Sequence, residues 1–459
     1  MTSFDKTQGV TGTTILRNGN VVLANEVKKL DIAIKDGKIY ELSPRIEEAG
    51  FEEQDLSGLY VFPGMIDVHV HFSEPGRAEW EGFETGSRMM AAGGCTTYFD
   101  MPLNGIPSTI TEEALLEKAE IGHKKSWTDF ALWGGLVPGN LDDLEGLANN
   151  GVIGFKAFMS ATGNDEFERA DDKTLLQGMK KITELGKVLA LHAESAPITD
   201  TLTEIKIRES KVSADDYLET RPILAEAEAV ERALIYAELT GCPLHFVHIS
   251  SAHAIEKIEV AKKRGMNVTV ETCPHYLLFN HHDLIEKGAV AKCAPPLRLP
   301  DEQEKLITLL IEGKFDMVSS DHSPCPYDMK DPGAHNLFQA WGGISGGQFT
   351  LLSMIEIAIK YNLPFQKVAQ LTAKAPAERF GLNTKGEIKE GMDADFAIVS
   401  LNKSFTVNKT NFFAKHKQSL YMNHTFPCSV IATIQRGNVL FEQNRFVKLG
   451  AKRLSPISI

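Results

Sequence analysis

Asp67-Val68-His69-Val70-His71 is the stretch from which the rest of the chain is read. Side chains alternate between the two faces of an extended strand, so His69 and His71 share a face and can reach one point. Two converging imidazoles suit a divalent cation. Pro63-Gly64-Met65-Ile66 leads into the stretch and Glu74-Pro75-Gly76-Arg77 leads out, which places the histidines at the C-terminal end of a strand bracketed by turns. Taken alone, the pair reads more readily as two structural histidines, and the residues around it must overturn that reading.

Moving outward, apolar runs alternate with helical stretches from about residue 62 to 380. Eight strand candidates stand out: Ile66 to Phe72, Thr96 to Met101, Phe130 to Leu136, Gly154 to Met159, Val188 to Glu194, Leu244 to Ser250, Val268 to Cys273 and Phe315 to Asp321. Helical spacing fills most of the intervals, as in Glu112 to Lys124, Asp171 to Leu185, Ile223 to Leu239, Ala252 to Arg264 and Asp301 to Glu312. Eight such units predict a TIM (β/α)8 barrel. An open doubly wound sheet is the competing arrangement, and no G-x-G-x-x-G follows the first strand to support it.

The two ends of the chain have a different texture. Thr14 to Leu16, Asn18-Gly19-Asn20, Val21 to Leu23, Leu30 to Ile34, Lys35-Asp36-Gly37-Lys38 and Ile39 to Leu42 read as short antiparallel strands and turns. Gly386 to Ile388, Ala394 to Val399, Cys428 to Arg436, Gly437-Asn438 and Val439 to Phe441 repeat that texture near the other end. These segments predict one discontinuous β-sandwich from residues 1–61 and 381–459 beside a catalytic barrel of 62–380.

With 459 residues, 43% hydrophobic and 24% charged, the chain is long enough for a large core and ordinary for a globular protein. Its net charge of −13, without clustered Lys and Arg, argues against a nucleic-acid partner. Neither a bilayer-spanning apolar run nor an apolar leader in Met1 to Thr14 is found, so no membrane partner is expected and the location is read as cytoplasmic. Cys95, Cys242, Cys273, Cys293, Cys325 and Cys428 lack C-x-x-C spacing and read as buried reduced thiols.

A barrel gives the opening histidines a face to share, because catalytic side chains of this fold project from the C-terminal strand ends. His69 and His71 end the first strand, Lys156 lies in the fourth, His192 ends the fifth, His248 the sixth, and Asp321 closes the eighth. Four imidazoles and a carboxylate exceed the needs of one four-coordinate ion, which points to two adjacent metals and a bridging ligand. Lys156 fits poorly as an ammonium beside cations. Burial and like charge favour its neutral amine, which reacts with carbon dioxide to a carbamate able to bridge two metals. Without the other ligands, Lys156 reads as a salt-bridging lysine.

These stretches, with Gly154-Phe155-Lys156, His192-Ala193-Glu194, His248-Ile249-Ser250-Ser251 and Ser320-Asp321-His322, resemble the cyclic amidase branch of the amidohydrolase superfamily, which holds dihydroorotases, hydantoinases or dihydropyrimidinases, and allantoinases. The likeness continues through Ala375-Pro376-Ala377, Phe380-Gly381-Leu382 and Lys389 to Asp395. It implies a carbamylated Lys156 (N6-carboxylysine) bridging two metals, with His69, His71 and Asp321 on one and His192 and His248 on the other. Zinc is the default; cobalt, manganese or iron suit the same ligands. Bicarbonate or carbon dioxide would supply the carbamate, and a homotetramer is the assembly implied.

Within the branch, dihydroorotases carry an arginine two residues after the second histidine, where this chain has Ser73. A carboxylate-bearing ring would lose its bidentate partner there, with Arg77 the nearest substitute. His71 to Arg77, Trp80 to Phe83 and Ser320 to Cys325 resemble the allantoinase type. Hydantoinases tend to place a tyrosine where Met159-Ser160-Ala161-Thr162 stands. The resemblance implies hydrolytic opening of the hydantoin ring of allantoin to allantoate by metal-activated hydroxide, a step of purine and ureide breakdown, with Asp321 as general base and then acid. Ser73, Ser160, Pro296 and Ser320 are the candidate substrate contacts. Loops at Pro274 to Tyr276, Ala294 to Arg298 and Gly342 to Gly347 are expected on the substrate side. His322 is left out of the ligand set, and His245, His253, His281 and His282 read as surface or packing residues. Hydantoinase activity is the alternative, dihydroorotase activity follows it, and a metal-free scaffold of the same fold is the reading from another class.

Overall fold

The structure, a computed structural model, describes residues 13–456. The reading of the first dozen residues and the outermost ends of the predicted sandwich lie outside that range.

Eight parallel strands alternate with helices and close on themselves. They are Met65–Val70, Cys95–Asp100, Asp129–Leu132 with Gly134–Gly135, Phe155–Phe158, Leu189–His192, Leu244–Phe246, Val268–Thr272 and Met317–Val318. The ring closes where the His71 amide donates to the His322 carbonyl at 2.8 Å and the Ser320 amide donates to the Asp67 carboxylate at 3.1 Å. All eight expected strands are present, each shorter at its C-terminal end than the sequence implied. The open doubly wound alternative does not hold. His71, His248 and Asp321 therefore lie just past regular strand, and His248 (φ 39°) and Asp321 (φ 46°) occupy the left-handed region. Such backbone costs energy and aims these side chains where a pleat would not.

Local chemistry accounts for the surrounding helices. Asp171 caps Asp172–Glu184 by accepting the Thr174 amide at 2.7 Å, and that helix buries Leu175, Gly178, Met179 and Ile182 at helical spacing against the barrel. Ile223–Thr240 starts after Pro222 and stops at Gly241, whose φ of 72° is open to glycine.

The two chain ends meet. Phe396–Ser400 runs antiparallel to Tyr60–Pro63, joining strands from both termini in one nine-stranded sheet. Three details differ from the sequence reading. Thr14–Val22 is one strand, in which Asn18 (φ 60°) absorbs a bulge rather than a turn. That strand also pairs in parallel with Glu52–Asp55 and Tyr60–Pro63, so the sheet is mixed. Gly386 to Ile388 is not a strand. The Asp36-Gly37 hairpin forms as read, with φ of 52° and 75°.

Sheet and barrel are joined by buried charge. Lys385 reaches Asp395 at 2.6 Å, Asp129 at 3.0 Å and Asp393 at 3.4 Å, and Arg436 also pairs with Asp129. All six cysteines are buried and unpaired. Among the described residues, no helix is long and apolar enough to cross a membrane.

Candidate active site

At the C-terminal mouth of the barrel the four expected imidazoles form a row. Ring centroids are 5.3 Å apart for His71 and His69, 5.4 Å for His69 and His248, and 4.7 Å for His248 and His192. Asp321 Oδ1 lies 3.2 Å from His69 Nε2 and 3.3 Å from His71 Nε2. One ligand atom from each of these three residues falls within 4.8 Å of the others. At the other end of the row, His192 Nδ1 and His248 Nε2 stand 3.0 Å apart.

The far sides of the rings are held by protein groups that the sequence reading did not use. His69 Nδ1 is 2.6 Å from Glu271 Oε1, and His192 Nε2 is 2.9 Å from Glu194 Oε2. A carboxylate on one nitrogen keeps that nitrogen protonated and turns the other lone pair inward. The Asn104 amide lies 3.4 Å from His71 Nδ1. Glu271 also binds His245 Nε2 at 3.2 Å and Ser319 Oγ at 2.6 Å. His245 is therefore no surface residue but a buried partner of the site's carboxylate, a correction to its reading as surface or packing. His281 is buried too, against Asp215 at 2.6 Å. A signal for Glu271 was present: a carboxylate inside the apolar run Val268 to Cys273 has the same logic as Lys156 in its own strand.

Lys156 is fully buried, its Nζ has no hydrogen-bond partner, and burial lowers its amine to about 7. An ammonium without an acceptor is costly in such a place, so the neutral amine or a modified nitrogen suits it better. Burial alone would raise the Asp321 carboxyl, but His69 and His71 more than offset that and hold it at about 2. Burial likewise lowers His71 to about 4, which leaves it a neutral donor.

The remaining candidates divide. Ser73 (φ 60°) and Ser160 are buried with hydroxyls that have no partner. Ser320 commits its hydroxyl to the backbone, accepting the His322 amide at 3.1 Å and donating to the His69 carbonyl at 3.4 Å. Pro296 is buried in the loop expected on this side. His322 stays out of the row, 3.5 Å from Glu81. Arg77 stacks over Trp80, and Trp80 packs against Trp341. Pro274–Leu278 is a helical turn rather than a loop, and its buried His275 has two ring nitrogens without partners.

Lone pairs that converge, a buried amine without an acceptor and a carboxylate at the mouth fit a pair of divalent cations. Such a set can acidify water and polarise a carbonyl.

Comparison with known proteins follows the same line. The model of the amidohydrolase family matches residues 60–440. A protein of Bacillus velezensis named allantoinase is 55% identical over 95% of this chain and 96% of its own length. One of Deinococcus radiodurans with the same name is 46% identical over 96% and 98%. Among solved structures, the L-hydantoinase (dihydropyrimidinase) of Arthrobacter aurescens superposes with a TM-score of 0.92 at 29% identity, covering 97% of this chain and 100% of its own.

Proposed function

The chain belongs to the amidohydrolase family, and we propose that it is a cyclic amide hydrolase that opens the hydantoin ring of allantoin to give allantoate. Near-whole-chain identity to proteins named allantoinase carries the choice of substrate. Ser73 agrees with it, since the position offers a hydroxyl and no cation for a ring carboxylate.

In this reading His69, His71 and Asp321 would hold one cation, His192 and His248 would hold the second, and Lys156, as a carbamate, would be the ligand common to both. Zinc is the default ion, and bicarbonate supplies the carbamate. When bound, the two cations lower the pKa of water and draw electron density from a carbonyl. Asp321 takes the proton that water releases as its oxygen adds to the ring carbonyl, then returns it to the ring nitrogen as the C–N bond breaks. Ser73, Ser160 and backbone near Pro296 orient the ring and its ureido arm. The unpartnered hydroxyls of the two serines support that role; Ser320 contributes by holding the strand ends. The catalytic unit is residues 62–380, the chain acts as a homotetramer, and six unpaired cysteines agree with a reducing cytoplasm.

The test is hydrolysis of allantoin, a 5-substituted hydantoin, dihydrouracil and dihydroorotate under one set of conditions, by protein reconstituted with zinc or cobalt and bicarbonate. Allantoin is expected to give the highest kcat/KM. A higher value for the substituted hydantoin would replace this reading with hydantoinase activity. Chelation should abolish turnover, and metal with bicarbonate should restore it.

A further inference from the structure

His192 and His248 come from neighbouring strands, and each is followed two residues later by a group in one buried charged network. Glu194 binds His192 Nε2 at 2.9 Å and pairs with the Arg221 guanidinium. Arg221 offers its backbone carbonyl to Arg298 Nη1 at 2.5 Å. Arg298 Nε donates to Ser250 Oγ at 3.0 Å, and Ser250 donates from amide and hydroxyl to Glu226, each at 2.9 Å. Glu194, Glu226 and Arg298 are all buried. Two carboxylates and two guanidiniums are matched in number, and the network meets the site through Glu194 at His192.

We propose that Arg298 is a positioning residue for the second cation site: it ties the strand end carrying His192 to the strand end carrying His248. The inference rests on the two-metal reading above. Phe158 stacks on the His192 ring at 4.6 Å, so the face of that ring is fixed by packing and its edge by Glu194. The backbone ladder between the two strands ends where the Val247 amide donates to the Leu191 carbonyl at 3.3 Å, so what it leaves free is the separation of the residues beyond. From the Ala294 to Arg298 loop, Arg298 meets Ser250 directly on one side and, on the other, the backbone of Arg221, whose guanidinium holds Glu194. None of the hydrogen bonds named in this network goes to His69, His71 or Asp321, so the first site feels its loss only through what the two sites share, Lys156 and the His248 ring beside His69. Arginine suits the task because its planar fork meets two acceptors in fixed directions, which an ammonium cannot do.

The experiment titrates metal-free protein with Co2+ against a competing chelator and follows the visible absorption of the bound ion. Wild type should take two equivalents per chain. R298M should keep one at wild-type affinity and bind the other 10- to 100-fold more weakly, the range seen when an outer partner of a metal-binding histidine is removed. S250A keeps every charge and removes the acceptor of Arg298 Nε; it should weaken the same equivalent about fivefold. R298M combined with H71A should retain no tight equivalent. Unchanged binding of both ions in R298M, or equal weakening of both, overturns the proposal. If R298M does not fold, S250A decides alone, with unchanged affinity overturning the proposal. A wild type that binds fewer than two ions would instead sink the two-metal reading itself.

Discussion

Asp321 and Lys156 carry the sharpest predictions at the scale of single residues. Asp321 lies within 3.3 Å of two imidazoles and is the carboxylate at the mouth of the row. D321A should lower kcat by 10²- to 10⁴-fold or more while the circular dichroism spectrum and Tm stay close to wild type. Near-normal turnover would remove the acid–base role. For Lys156, whose amine is lowered to about 7, the neutral and reactive form increases as pH rises. In metal-free protein at fixed dissolved carbon dioxide, the initial rate of carbamate formation, a step that adds the amine to carbon dioxide and releases a proton, should rise about tenfold from pH 6 to 8 and then level off when followed with ¹³C label. A rise continuing to pH 10 would mark an ordinary exposed amine. Both residues were legible beforehand, because a buried charge in an apolar strand has few uses. Glu271 was not assigned, because its role is set by the rings of His69 and His245, which reach it from other strands; Glu194 was not assigned although its partner His192 lies only two residues before it.

Whole elements were legible where periodicity is strong. The helix predicted for Asp171 to Leu185 is Asp172–Glu184, with its buried face at the spacing read from the sequence. Removing its cap tests that account. D171A should cost about 1 kcal/mol by urea denaturation with the m-value unchanged, since it strips the first turn, chiefly the Thr174 amide, of its acceptor at an exposed terminus. A change under a few tenths would mean that packing alone sets the helix start. Strand ends were less legible. The strand from Leu244 was expected to run through His248 and the strand from Phe315 to reach Asp321, yet each pleat stops earlier and both residues take positive φ. Periodicity cannot register such a departure, because one left-handed residue changes no hydrophobic pattern.

In the whole molecule, the junction between barrel and terminal sheet rests on Lys385 among three carboxylates. Removing this buried cation leaves Asp129, Asp393 and Asp395 short of charge, although Arg436 still faces Asp129. K385M is expected to destabilise the protein by about 3–5 kcal/mol and to lower Tm. A loss below about 1 kcal/mol would show that the sheet docks through apolar packing instead. The cluster brings Asp129 of the barrel to Lys385 and Arg436, hundreds of positions along the chain, and the texture of the two termini predicted their pairing with each other but not this contact.

By itself the sequence determined the fold class and the chemical character of the site. Both follow from local rules: alternation, helical spacing, and polar residues at the ends of apolar strands. It also determined the branch of the family, through Ser73 and the residues around His71. Only the tertiary structure decided that Thr14–Val22 and Phe396–Ser400 flank the same strand. The same holds for His245, which shares a carboxylate with His69, and for Arg298, which bridges the ends of two strands. These facts depend on long-range closure of a ring and a sheet, where partners meet through geometry rather than through spacing along the chain.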